Sequence, residues 1–240
     1  MNEGELVPPP ADGRVFCHRV VAGLADAAPS GRARLDAIAR WLQDAALADV
    51  VDSGLDGGGV WVLRRLRLCV ARFPRFGDAL EVRTFCSGTG TLVAERRSTV
   101  AAAGGGEPAV EALALWVHLD PDGARPRPLP EGFEAVYGAT AAGRRVRARL
   151  RHAGDPPADA PARPWRFRAA DHDLAGHVNN AGYWQVVEEE LVAAEPAGGL
   201  DAEIEHRAAG DVGDAVVLAG DAMRWVAAGG EVLATVRLAG

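Results

Sequence analysis

The sequence predicts an α+β fold made of two tandem units, each an antiparallel β-sheet wrapped around a long helix. A long helical period is followed by a run of strand-like segments, and that order occurs twice along the chain. A Gly-Asp turn also stands at matching places, as Phe76-Gly77-Asp78-Ala79 and as Val212-Gly213-Asp214-Ala215. A repeated element order with a shared turn marks a duplicated unit.

Taken in order, residues 14–22 have the β-branched and aromatic content of a strand, and Pro29-Ser30 ends it. Leu35, Ile38, Leu42, Ala45 and Asp49 then fall on one helical stripe, and Gly54 supplies the stop. Residues 59–73 read as a strand with Val60, Val62, Leu66, Leu68 and Val70 on one face. After the Pro74–Asp78 turn come β segments near 79–87, 91–103 and 109–120. Prolines at 121, 126, 128 and 130, and again at 156, 157, 161 and 164, mark a crossover with a possible strand over 144–150. The second unit repeats the order: a strand over 165–168, a helix from about 178 to 193, and strands near 202–208, 215–225 and 231–238. The expected limits are a proline-rich lead over 1–13, a first unit over 14–121, the crossover over 122–164 and a second unit over 165–240.

The bulk composition narrows the function. The chain has 240 residues, 48% hydrophobic and 25% charged, which is ordinary globular composition. Every basic residue but histidine is arginine, and the net charge of −7 argues against nucleic acid as a partner. The lead over 1–14 lacks a basic start and an apolar stretch, and no segment approaches the roughly 18 apolar residues of a membrane span, so a cytoplasmic protein without a membrane role is expected. Cys17, Cys69 and Cys86 are odd in number and have no metal-type spacing, which fits a reduced compartment.

Chemistry concentrates in one segment, Asp171-His172-Asp173-Leu174-Ala175-Gly176-His177-Val178-Asn179-Asn180-Ala181-Gly182-Tyr183-Trp184. It places two carboxylates, two histidines and two carboxamides at a turn that opens a helix. A helix start offers unpaired N–H groups and partial positive charge to a polarised carbonyl. A carboxylate beside it can activate water or attack that carbonyl.

The string D-x-D-x-x-G-H-V-N-N-x-x-Y resembles the active-site motif of hotdog thioesterases, acyl-acyl-carrier-protein (acyl-ACP) thioesterases in particular. Residues 35–55 followed by 60–78 are similar to the first hotdog of that family, and 116–130 to its exit. The resemblance implies two tandem hotdog units and hydrolysis of an acyl thioester of acyl carrier protein or coenzyme A, with no cofactor or metal, in a monomer or homodimer. It matches Asp173 to the catalytic aspartate and His177 to the active-site histidine. Asn179 and Asn180 match the paired asparagines and Tyr183 the helix tyrosine. Asp173, His177 and Asn179 are thus expected to be catalytic, with Asn180, Tyr183 and Gly176 at the substrate. The family's asparagine two residues before the histidine is Ala175 here. Its Glu-Cys pair falls on Ala209 and Gly210, after Glu205-His206-Arg207-Ala208. Asp173 would therefore carry more of the reaction. The alternative is a hotdog protein that binds acyl groups or carriers without turning them over; a hydratase is a third reading, against which His177-Val178-Asn179-Asn180 argues.

Plainer roles compete at several positions. Asp171 and His172 suit a polar turn, and one asparagine suits a helix N-cap. Glu188, Glu189 and Glu190 cannot all face one way, so two are expected in solvent and one inward. The cysteines suit buried apolar positions in strands. Two arginine runs, Arg64 to Arg75 and Arg144 to Arg151, are candidates for docking an acidic carrier.

Overall fold

The computed structural model describes residues 5–55, 58–123, 125–194, 196 and 198–239; the first four residues of the predicted lead and Gly240 of the second unit lie outside them. The first half comprises β1 (Phe16–Val21), α1 (Leu35–Ser53), β2 (Val60–Val70), β3 (Ala79–Thr89), β4 (Val93–Ala102) and β5 (Val110–Leu119). After α2 (Phe133–Ala141) the second half follows as β6 (Ala162–Phe167), a 3-10 turn at Asn180–Trp184 running into α3 (Gln185–Ala193), β7 (Leu200–His206), β8 (Gly213–Ala219), β9 (Met223–Ala228) and β10 (Glu231–Ala239).

All ten strands form one antiparallel sheet in the order β1-β3-β4-β5-β2-β7-β10-β9-β8-β6. Adding five to each first-half strand number reverses the list onto itself, so the halves are related by a two-fold axis through the β2·β7 pair. At that seam Leu66 faces Ile204 and Leu68 faces Ala202. β1 and β6 are the edges, and Pro164 is tolerated because an edge strand can spare an N–H.

The predicted stripe buries α1 against the sheet: Leu35, Ile38, Leu42, Ala45 and Asp49 are all buried, and Gly54 ends the helix with φ 68°. Each fully buried large apolar side chain contributes about 1.5–3 kcal/mol relative to exposure. Arg34 at the N-cap supplies no side-chain cap for the helix, its guanidinium donating to Asp36 instead. Instead Glu188 of α3 accepts the Leu35 N–H at 3.0 Å and pairs with buried Arg32 at 2.7 Å. Of the three glutamates, Glu188 therefore turns inward, Glu189 is exposed, and Glu190 pairs with Arg224 at 2.9 Å.

Five expectations are corrected. A bulge at Leu63/Arg65 shifts β2, so Leu63 joins Leu66, Leu68 and Val70 inside while Val62 is 38% exposed. The segment near 144–150 is not a strand but an extended arm, bridged to the sheet only at Thr89↔Arg145 among the described residues. The expected strand over 215–225 is split into β8 and β9 by a turn at Gly220–Ala222. The second helix opens as the 3-10 turn, and its α part begins only at Gln185. Of the cysteines, Cys86 is buried, Cys69 half-buried and Cys17 exposed, so burial fails for Cys17.

Candidate functional site

The acidic loop lies between β6 and α3, pinned at both ends. His172 and Val178 form a bridge, the Val178 N–H donates to Gly210 at 2.9 Å, and the His172 Nε2 lies 3.1 Å from the Asp211 carboxylate. Within it Asp173 and Gly176 close a turn, the Gly176 N–H donating to the Asp173 carbonyl at 3.0 Å; Gly176 has φ 75°, open to glycine without strain.

Asp173 is exposed, and its carboxylate accepts the Ala175 N–H at 2.9 Å. The Asn179 side-chain amide donates to its other oxygen at 3.5 Å, the long end for such a bond. Asn179 Oδ1 accepts the Ala181 N–H at 2.8 Å, so Asn179 is the N-cap of the helical turn. Asn180, half-buried, is the first residue of that turn, and its N–H meets no acceptor among the described residues. His177 is exposed; its carbonyl accepts the Asp173 N–H at 3.0 Å, while its imidazole makes no hydrogen bond to a described residue.

Tyr183 is buried behind the loop rather than facing it. Burial pushes its hydroxyl up to about 12. A Cβ at Gly210 would come within 2.2 Å of that oxygen, so the glycine there is what lets the phenol fit. The structure thus brings Asp173, Gly176, His177, Asn179 and Asn180 into one loop and leaves Tyr183 as its packing support. Its ring stacks edge-on to His206, 5.2 Å away.

A cavity of about 1010 Å³ opens beside this loop. It lies in the first half, walled by Leu47 and Val50 of α1, Trp61 of β2, Trp116 of β5 and Phe133 and Tyr137 of α2, and Leu174 and Asn179 of the loop line it too. The helix of the crossover, absent from the sequence reading, closes one wall. Its signal was present: Phe133, Val136, Tyr137, Thr140 and Ala141 follow a helical stripe. Leu174 is fully exposed at the tip of the loop.

Among the described residues one trio, His152, Glu203 and Glu205, gathers metal-ligand atoms within 4.8 Å of one another on the outer side of the sheet. Cations and donors already occupy it. Arg237 lies 3.1 Å and Arg65 3.6 Å from Glu203, and Glu205 accepts the N–H groups of Arg151 and His152 at 2.7 and 3.0 Å. The donor set fits a closed hydrogen-bonded network better than a metal.

The two arginine runs differ sharply. In the first, Arg64 donates to the His206 carbonyl at 2.7 Å, Arg65 is buried, and Arg67 binds Asp201 through two nitrogens. In the second, Arg144 is buried, but Arg145, Arg147 and Arg149 are exposed side chains without a hydrogen bond or ion pair to a described residue.

Two five-stranded units in one sheet, each with its helix, and an acidic helix-opening loop at an apolar cavity define the class of double-hotdog thioesterases. The chain belongs to the acyl-ACP thioesterase family: residues 14–137 match that family's N-terminal domain and residues 155–217 its C-terminal domain. An uncharacterized protein of Mycobacterium tuberculosis is 26% identical over 187 residues, covering 78% of this chain and 74% of that one. The 12:0-ACP thioesterase from Umbellularia californica superposes with a TM-score of 0.72 at 20% identity, over 93% of this chain and 96% of the other. An acyl-ACP thioesterase from Bacteroides thetaiotaomicron gives 0.76 at 18% identity, over the same 93% and 96%. At these identities the two likenesses establish the fold, and the family assigns the reaction class, thioester hydrolysis. No helix among the described residues is long and apolar enough to cross a membrane.

Proposed function

We propose that the chain hydrolyses fatty-acyl thioesters of an acidic acyl carrier protein, with Asp173 as the base. The observation that carries this reading is the double position of Asn179, which lines the cavity and donates to the Asp173 carboxylate. The acyl chain occupies the cavity, so its thioester carbonyl rests at the mouth beside Asn179. Asp173 takes a proton from water as the water oxygen attacks the carbonyl carbon. The oxyanion so formed accepts the unpaired Asn180 N–H at the helix start. Collapse breaks the C–S bond, and the proton held by Asp173 goes to the leaving thiolate. Asn179 orients Asp173, His177 steadies the thioester on its carrier side, and Gly176 lets the loop turn close to it. We place the carrier's acidic surface against Arg145, Arg147 and Arg149 of the crossover.

The second reading, acyl binding without turnover, draws on Ala175 and Ala209, both exposed methyl groups where the family has polar side chains. Release of free thiol from acyl-ACP and acyl-CoA across a chain-length series, followed with a thiol-reactive dye, separates the two. Hydrolysis that disappears in Asp173→Ala supports the proposal; tight acyl binding with no thiol release supports the second reading.

A further inference from the structure

The cavity is not a plain hydrocarbon slot. On β4 the residues that face α1 and α2 are Ala94, Arg96 and Ser98, and Arg96 lines the cavity with its side chain 11% exposed. Its guanidinium is fixed from behind: Nη1 donates to Asp49 at 2.6 Å and to Thr84 Oγ1 at 3.3 Å, and the group lies 5.6 Å over the Tyr137 ring. Asp49 is itself 1% exposed and is held by Arg14 as well, at 2.6 Å. The Nε and Nη2 of Arg96 meet no acceptor among the described residues. Gln43 of α1 also lines the cavity, and neither its buried Oε1 nor the buried Trp116 Nε1 has a hydrogen-bond partner among the described residues. Arg96, Gln43 and Trp116 also line a separate pocket of only about 10 Å³, between Leu42, Leu63 and Leu66. Polar groups therefore stand in a cavity wall that also carries Leu47, Val50, Trp61 and Phe133.

We infer that the acyl group this cavity takes carries an oxygen substituent along its chain, a hydroxyl, oxo or carboxylate group, received by Arg96 and Gln43. The inference rests on the cavity being the acyl site. A saturated chain would strip water from the guanidinium and give it no acceptor, whereas an oxygen there accepts a charge-assisted hydrogen bond. A site built to bond an oxygen disfavours the analogue lacking it. Arg96 is thus a specificity-determining residue and takes no part in bond breaking.

The test compares saturated, hydroxy- and oxo-substituted acyl groups of one chain length, as free acids by calorimetry and as thioesters by thiol release. Oxygenated acids should bind the wild-type protein roughly 10- to 100-fold more tightly than the saturated acid. Arg96→Met should erase that preference without weakening the saturated acid. Because Arg96→Met also deprives Asp49 of a partner, Gln43→Leu, which breaks no ion pair, serves as the second variant and should narrow the preference in the same direction. Equal binding of saturated and oxygenated acids by the wild type would overturn the inference, as would an undiminished preference in both variants. If the preference holds while no thioester is cleaved, the inference stands and the hydrolase reading falls.

Discussion

Glu188, on the helix of the second half, is bound at 2.7 Å to Arg32, which precedes the helix of the first, and both side chains are almost fully buried. The same carboxylate accepts the N–H that opens α1. One charge thus caps a helix and joins the halves on the inner side of the sheet, where the β2·β7 seam joins them by backbone.

Removing Glu188 leaves a buried cation and an unpaired helix N–H. Glu188→Ala should therefore cost about 3–5 kcal/mol of stability. Glu188→Gln keeps an acceptor for Leu35 and should cost distinctly less. Urea unfolding of the two variants provides the check, and equal losses would mean that the charge is immaterial.

How far sequence alone reached can be judged at particular residues. The α1 stripe and Gly54 were legible because a buried helix repeats its apolar residues every three or four positions. The duplication was legible from the repeated element order together with the shared Gly-Asp turn. The bulge at Leu63/Arg65 was not, since one extra residue changes which side chains face inward without changing the composition of the strand. Within the loop, the positions of Asp173 and Asn179 were legible as a pattern, but the cavity beside them is assembled from α1, four strands and the crossover. No local pattern encodes such a wall. The burial of Tyr183 depends on the missing side chain at Gly210, a relation between residues 27 positions apart that only the fold reveals.

Asp173 is exposed and its loop is held by other contacts, so its loss should touch activity and spare the fold. Asp173→Ala should reduce kcat by about 10²–10⁴, the usual worth of a positioned base. Its melting temperature should move by no more than ~2 °C. Turnover near the wild-type value would remove Asp173 from the mechanism.

Asn179 carries two separable duties, one through each atom of its carboxamide. Asn179→Ser keeps an oxygen to cap Ala181 but loses the amide that meets Asp173. It should hold stability to within a few tenths of a kcal/mol while kcat drops about tenfold or more. Asn179→Ala should add a stability loss of about 1 kcal/mol. Parallel melting curves and thiol-release rates distinguish the duties; identical stability in both variants would deny the cap its role.

Arg145, Arg147 and Arg149 stand exposed on the arm that crosses the outer side of the sheet. Reversing all three to glutamate should lower kcat/KM for acyl-ACP about tenfold or more at low salt, and added salt should shrink the gap. Hydrolysis of a short, uncharged acyl thioester should be unaffected. A parallel fall with the small substrate would show that the arm supports the fold rather than the carrier.

His206, at the end of β7 beside Tyr183, couples the stability of the fold to acid. Burial, with help from the nearby Arg64 cation, lowers its pKa from the ordinary 6.5 to about 3. The folded state therefore keeps the ring neutral across a range in which the unfolded chain protonates it. The stability this difference carries is fully present above pH 6.5 and is lost as pH falls towards 3, with a slope of up to ~1.4 kcal/mol per pH unit. Glu203 and Asp201 add to the loss only further down, since their pKa values are depressed below 4.5 and 3.8. Burial opposes the shift of Glu203, which the His152 hydrogen bond and the Arg65 charge reverse, while the Arg67 hydrogen bonds lead that of Asp201. Between pH 6.5 and 4.5 the His206 contribution is therefore separated from those of Glu203 and Asp201. His206→Phe, which keeps an aromatic ring against Tyr183, should flatten the stability profile there, as read by urea unfolding at half-unit pH steps. The same slope in that variant would show that His206 takes up no proton on unfolding in this range.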